Sequence, residues 1–415
     1  MRRRAATRSA AVLLAALLVL AGCGASRSAA PPVWEPPPFL ITFWCAPPLD
    51  QLDDARLAEI AAAGFTTVGA PCEGDFTVAA NRRVLAAAAR HDLRVWVADH
   101  RLYEAAAGAL AATDVAPAVV ADYGAAPALD GYVVADEPPA ERFAGVAAVV
   151  GALRAADPAR LAYVNLLPIY IPPPLLGSDS YDAYLAQFVA EARPQLLSVD
   201  HYPFGHTRDR STFFANLAAL RDAALRADLP FLWIVLAMPH GPYRDPTEAE
   251  LAWQVFHAIA YGARGVSYFA YWTPAPADWD FHHGLIENGQ PTRHYGEAAR
   301  INARARAIGS ALRGWRSLAV ADAQGEVATP LPIGPLAGID GGPITVGLFG
   351  DGRGGLAALL VNRDYREPVV ATLRLRAGAD PPQALDAADS RWREDPGLVF
   401  PLAPGQAQLL RWSSP

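Results

Sequence analysis

From Phe39 onward, short apolar runs alternate with alanine-rich stretches whose apolar residues recur at helical spacing, and this rhythm continues to about Arg313. Eight runs read as strands: Phe39–Cys45, Thr66–Ala70, Arg94–Ala98, Gly131–Ala135, Leu161–Leu166, Leu196–Val199, Phe231–Leu236 and Val266–Ala270. Helical candidates between them include Leu52–Ala63, Ala79–His91 and Thr247–Tyr261. Regular alternation of strand and helix predicts a parallel sheet covered on its outside. Eight such units in about 250 residues match the size of a closed (β/α)₈ barrel. A doubly wound nucleotide-binding sheet would carry GxGxxG after its first strand, and no such pattern is present. After the barrel the texture changes. Ile344–Phe349, Gly355–Val361, Val369–Leu375 and Gln406–Trp412 are strand-like runs separated by Gly, Pro, Asp and Asn. They predict a small all-β, sandwich-like domain over residues 314–415, following a barrel over residues 39–313.

The first residues follow a different pattern. Arg2, Arg3, Arg4 and Arg8 precede an uncharged apolar run from Ala10 to Ala21, the layout of a signal peptide and too short for a comfortable spanning helix. Leu20-Ala21-Gly22-Cys23 resembles the lipobox of bacterial lipoproteins. That resemblance implies cleavage of the leader, a lipid on Cys23 and an exported protein held at the cell envelope, facing the periplasm or the exterior. An ordinary secreted protein with a chance cysteine is the alternative. Residues 24–38, rich in Ser, Ala and Pro, read as a flexible tether.

The formal net charge of −7 is mild, and nothing resembles the basic footprint of a nucleic-acid binder. No later apolar run is long enough to cross a membrane. Cys45 and Cys72 each follow a predicted strand, and if those strands are neighbours the cysteines lie at one end of the barrel. Export permits a disulfide between them, with two buried free thiols as the alternative. No CxxC spacing suggests zinc, and no cofactor is expected.

A barrel of this type keeps its active site at the C-terminal ends of its strands. Those ends carry Trp44; Glu73 and Asp75; Asp99, His100 and Arg101; Asp136 and Glu137; Asn165; Asp200, His201 and Tyr202; His240; and Tyr271 with Trp272. Acidic, aromatic and imidazole groups on one rim suit a sugar, whose hydroxyls need polar partners and whose ring faces need aromatic platforms. Glu137 is the sharpest candidate, because glycoside cleavage needs a carboxyl group that stays protonated until it can donate to the leaving oxygen. Asp200 and Asp136 are the companion catalytic candidates. Trp44, Asp99, His100, Asn165, His201, Tyr202, His240, Tyr271 and Trp272 are read as substrate-binding, with Trp279 as a further platform or core aromatic. The plainer reading of Asp136-Glu137-Pro138 is a helix start, where acids favour the positive dipole end.

The GYVVADEPP run resembles the barrel glycoside hydrolases whose acid/base glutamate closes strand four. The resemblance implies a glycosidase in which Glu137 is the acid, with a polar aromatic pair at His201 or Tyr202 and a sugar platform at Trp272. Retaining members place a nucleophilic glutamate after strand seven, where this chain reads LWIVLAMPHGPYRD. Three readings follow. An inverting enzyme would use Asp200 or Asp136 as base across roughly 6.5–9.5 Å. A substrate-assisted enzyme would have an acetamido oxygen attack, with Asp136 and Tyr202 in support. The third reading is a barrel that only binds carbohydrate. A metal-dependent hydrolase drawing on Asp99, His100, Asp200, His201 and His240 ranks below these, since the HxH after strand one is absent.

Overall fold

Parallel strands covered by helices are buried on both faces, so they are apolar almost throughout, and this is what the first eight strands show. In the computed structural model, residues 33–275, 280–324 and 334–412 are described. The leader, Cys23 and Trp279 lie outside them. The strands are β1 (Leu40–Phe43), β2 (Thr67–Val68), β3 (Arg94–Ala98), β4 (Leu129–Asp136), β5 (Leu161–Asn165), β6 (Leu197–Asp200), β7 (Phe231–Leu236) and β8 (Gly265–Phe269). They pair in parallel as β2-β3-β4-β5 and β1-β8-β7-β6. Bridges at Ala46–Pro71 and Leu166–Val199 join the two halves, with Thr66 N donating to Ile41 O and Leu166 N to Ser198 O, each at 2.9 Å. The ring is closed, as the alternation predicts.

The helices are α1 (Asp54–Ala62), α2 (Val78–Ala88), α3 (His100–Ala106), α4 (Ala112–Tyr123), α5 (Phe143–Ala156), α6 (Pro173–Leu176), α7 (Tyr181–Ala192), α8 (Phe213–Ala227), α9 (Glu248–Ala260) and α10 (Arg293–Ala311). None among the described residues is long and apolar enough to cross a membrane. Helix α9 starts with a reciprocal capping box between Thr247 and Glu250, and every residue from Glu250 to Ala260 is buried. A helix apolar all round needs cover on both sides. The second cover is the C-terminal domain.

A two-residue hairpin, β9 (Ile286–Glu287) and β10 (Gln290–Pro291), follows the barrel strands. The C-terminal domain then comprises β11 (Arg316–Gln324), β12 (Leu336–Asp340), β13 (Pro343–Gly350), β14 (Leu356–Asn362), β15 (Val369–Leu375), β16 (Gln383–Asp386), β17 (Arg391–Arg393), β18 (Val399–Leu402) and β19 (Ala407–Trp412). A six-stranded antiparallel sheet, β11-β13-β14-β19-β16-β17, faces a three-stranded one, β12-β15-β18. Strand β14 is apolar on both sides for a definite reason. Leu356, Ala358 and Leu360 fill the space between the two sheets, while Ala357, Leu359 and Val361 join the barrel's core. Gly347 on β13 lies so close to α9 that an added Cβ would stand 2.2 Å from Ala260 O. The small domain is therefore fused to the barrel by a shared apolar layer.

The tether reading ends early, because Trp34 is buried. Its N donates to Pro158 O at 2.9 Å and its Nε1 to Asp130 Oδ1 at 3.3 Å. It belongs to the cluster that fills the barrel interior with Leu40, Trp96, Leu161, Leu196 and Leu232, and it plugs the barrel's N-terminal mouth. An indole that can fill a hydrophobic opening and satisfy its N–H has no reason to remain in water.

Candidate active site

Strand parity decides which rim residues face inward. Along β6, Leu196 and Ser198 lie inside and Val199 outside, so Asp200 and Tyr202 point in and His201 points out. Along β5, Leu161, Tyr163 and Asn165 point in. Strand β4 would by the same count turn Ala135 inward and Asp136 away. A register shift between Val133 and Ala135 reverses this. The irregularity leaves Val134 and Ala135 both on the outer side and aims Asp136 at the bowl, a common use of bulges beside active sites. Glu137 then takes φ +46°, a left-handed conformation costing a non-glycine residue about 1 kcal/mol or more, while its N donates to Asn165 O at 2.9 Å. Bulge and turn together bring two adjacent carboxyl groups into one cavity.

At the floor of this bowl Asn165 Nδ2 donates to Asp136 Oδ1 at 3.1 Å and to Asp200 Oδ1 at 2.9 Å. Its own orientation is set from below: Asn165 Oδ1 accepts from Ser198 Oγ at 3.2 Å, and Ser198 Oγ meets the buried Tyr163 hydroxyl at 2.9 Å. Glu137 and Asp200 share a hydrogen bond. Among the described residues no ion pair joins Asp136, Glu137 or Asp200 to any basic side chain. Asp136 and Glu137 open into the bowl, but they sit deep in it with protein on most sides. Enclosure and the neighbouring Asp200 charge push the Asp136 carboxyl up to about 7, against the lowering effect of Asn165. Glu137 is pushed up by enclosure first, then by the charges of Asp200 and Asp136. Burial likewise raises Asp200, opposed by its hydrogen bonds from Asn165 and Glu137. Three acids this close cannot all ionise at neutral pH, so the group keeps at least one proton.

Aromatic residues form the walls. Trp44 stands partly buried near Tyr163, with ring centres 6.0 Å apart. Tyr202 stacks on Phe269 at 5.5 Å and meets His240 at 5.4 Å and Tyr243 at 5.3 Å. His240, its Nδ1 3.1 Å from Met238 O, is held neutral by burial, which lowers it to about 4. His100 is exposed on the rim, against Phe76 at 4.7 Å.

Four of the residues read as substrate-binding are placed elsewhere. Asp99 caps α3 and is occupied by Arg101 (2.7 and 2.9 Å) and the Tyr123 hydroxyl (2.8 Å), so it is a structural acid behind the barrel wall. His201 is fully buried between Phe213 and Trp233 with Nε2 3.0 Å from Thr212 Oγ1, and desolvation lowers it to about 3. Tyr271 stacks on Phe43 and donates to Glu59 Oε1 at 2.6 Å, away from the bowl. Trp272 lies at the rim, but it is buried with the Arg56 guanidinium over its ring at 5.5 Å, so it offers no open platform. With Asp99 engaged and His201 turned outward, the five residues considered as metal ligands are not gathered around one point. Cys45 and Cys72 do form a disulfide, with Cα atoms 4.5 Å apart, tying the ends of the first two strands.

The sequence reading missed Tyr103, Tyr170 and Arg210, and gave Tyr243 only as part of the loop that follows strand seven and caps the cavity. Tyr103 and Tyr170 lie near enough to the acids that Asp136 and Asp200, respectively, add to the burial that raises their phenols. Tyr243 is in the HGPYRD loop after β7, and only the length of that loop hinted that it would return to the bowl.

No known family matches the chain by sequence, and no curated protein is detectably similar to it. Solved structures do match its fold. A cold-adapted β-galactosidase from Rahnella sp. R3 superposes with a TM-score of 0.59 at 10% identity, covering 92% of this chain and 99% of that one. A glycoside hydrolase family 5 protein from Bacteroides vulgatus gives 0.55 at 12% identity, covering 91% and 89%. Against a β-galactosidase from the psychrophilic Marinomonas ef1 the TM-score is 0.50 at 12% identity, over 66% of this chain and 60% of that one. The chain thus has the architecture of barrel glycoside hydrolases, an α/β barrel followed by an antiparallel β domain.

Proposed function

We propose that this protein is a glycoside hydrolase acting on oligosaccharide or polysaccharide at the cell envelope, with Glu137 as its general acid. The observation that carries the reading is the trio of Asp136, Glu137 and Asp200 gathered around Asn165 at the C-terminal mouth of the barrel, crowded enough to hold a proton at neutral pH and with no cation paired to it among the described residues. A protonated Glu137 donates to the leaving oxygen as the glycosidic bond breaks. An ionised Asp200 stabilises the positive charge developing on the sugar, and water then adds to the sugar with its proton returning to Glu137. Hydrogen-bonded to Glu137, Asp200 stands too close for the roughly 6.5–9.5 Å gap of an inverting acid–base pair. Asn165 holds Asp136 and Asp200 in register, while Trp44, Tyr202 and His240 shape the sugar site.

A substrate-assisted route is the second reading, favoured by two observations. Strand seven ends in Met238-Pro239-His240 with no carboxylate, and Asp136 and Glu137 enter the bowl side by side. In that route Asp136 orients an acetamido group whose oxygen attacks the anomeric carbon. Hydrolysis of a panel of aryl glycosides and natural oligosaccharides, acetamido sugars included, tests the proposal. Turnover lost in Glu137→Gln supports it. Sugar binding without turnover in the wild type replaces it with a carbohydrate-binding protein.

The envelope location rests on Cys23 as a lipidated N-terminus. Metabolic labelling with a fatty acid checks it: label on the wild type and none on Cys23→Ser is expected, and equal labelling of both contradicts it.

A further inference from the structure

Beside the bowl, the loop after β6 and the loop after β7 are joined by a bridge between Gly205 and Tyr243 and by His206 N donating to Pro242 O at 3.1 Å. Between them lies a second, open pocket of about 570 Å³, lined by Tyr170, Thr207, Arg208, Arg210, Ser211 and Tyr243 among others. Tyr170 and Tyr243 also stand in the bowl's wall, so the two cavities share a partition. Arg210 is fixed within this pocket. Its guanidinium lies 3.9 Å from the centre of the Tyr170 ring and 5.5 Å from that of Tyr243, and its Nη2 donates to the Tyr243 hydroxyl at 3.1 Å.

Arg208 and Arg210 bring two positive charges to one pocket. Neither makes an ion pair with a carboxylate among the described residues. The acid between them, Asp209, is engaged by Arg244 and by the Tyr365 hydroxyl. A pre-oriented guanidinium with unused donors is suited to a carboxylate or a sulfate, which it can bind through two parallel hydrogen bonds. The bowl floor has the opposite character. Three carboxyl groups there repel an anion, so a charged sugar must place its acid group away from the floor, and the adjoining pocket offers the compensating charge.

We infer that this pocket is a subsite for an anionic substituent, the carboxylate of a uronic acid or a sulfate ester, on a sugar unit next to the one held over Glu137. The inference rests on the glycosidase reading for the identity of its ligand as a sugar. Titration calorimetry of the full chain tests it with three probes of equal length: an oligouronide, a sulfated neutral oligosaccharide and the unsulfated neutral one. The expected result is about tenfold or greater preference for an acidic probe over the neutral one, weakening with salt. That preference should be lost in Arg210→Gln and reduced in Arg208→Gln. Which acidic probe binds more tightly identifies the substituent. Equal binding of acidic and neutral probes, no binding of either acidic probe, or a preference that survives in Arg210→Gln would overturn the inference. The same titration in Glu137→Gln separates the two readings. An acid preference with no hydrolysis of any glycoside by the wild type keeps the subsite and removes the enzyme; hydrolysis of neutral glycosides with no acid preference does the reverse.

Discussion

Strand β4 carries an acid near each end, Asp130 buried and Asp136 open to the bowl, and the two are treated in opposite ways. Asp130, low in the barrel, is bonded by Arg94 Nη1 at 2.8 Å, Trp96 Nε1 at 3.1 Å and Trp34 Nε1 at 3.3 Å. Each oxygen has a donor and the charge has a cation. Asp136, six residues on, has one amide donor and two further acids for neighbours. The lower acid has both oxygens engaged by these donors, so it holds structure together. The upper one is arranged so that its group cannot be fully ionised, and such a group can move a proton. Cation pairing, together with burial away from the bowl, separates the structural acid from the chemical ones.

The comparison breaks most readily by substitution at the two ends. Glu137→Gln should lower turnover about 100-fold or more with little loss of folding stability, read from kcat and the thermal midpoint together. A large drop in stability would assign Glu137 to the structural class. Trp34→Ala removes the plug from the lower mouth and should cost about 3 kcal/mol in denaturant unfolding, while activity per folded molecule persists. Asp130→Asn should cost about 1–3 kcal/mol, because Arg94 loses the charge it pairs with and one accepting oxygen becomes an NH2 facing a donor, and it too should leave kcat near the wild-type value. The smallest effect is in pH dependence. Asp136, pushed up to about 7, holds its proton more tightly folded than unfolded, where an ordinary aspartate releases it near 4. Between those values the unfolded chain binds fewer protons, so stability falls as pH rises from about 4 to about 7. Since the carboxyl opens to water in the bowl, its share of the fall should be under about 1 kcal/mol, and Asp136→Asn should reduce the fall, leaving the part due to Glu137 and Asp200.

Much of this was legible in the chain. All eight barrel strands lie where the apolar runs predict, since fully buried parallel strands leave a strong signal. The C-terminal strands β13, β14, β15 and β19 were equally clear. Strands β11, β12, β16, β17 and β18 were not, being short or at a sheet edge. At the site, Glu137, Asp136, Asp200, Asn165 and Tyr202 were found from their positions at strand ends. Asp99 and His201 were misassigned because position at a strand end was used without parity: each adjoins an inward residue and so points out, whereas Tyr271 leaves the inward parity of Phe269 and turns to Phe43 and Glu59. Parity alone would still have failed at Asp136, where the bulge reverses it, and no residue type announces that bulge. Tyr170 and Arg210 come together only through loop packing, which carries no periodic signal.

The central claim is that Glu137 donates the proton to the departing oxygen, and leaving-group dependence tests it most directly. Hydrolysis of a series of aryl and alkyl glycosides would be compared between the wild type and Glu137→Gln. The account predicts that the variant loses about 100-fold or more on poor leaving groups, which need protonation, and little on dinitrophenyl glycosides, which do not. An equal loss across the series, or no loss on the alkyl glycosides, would contradict it.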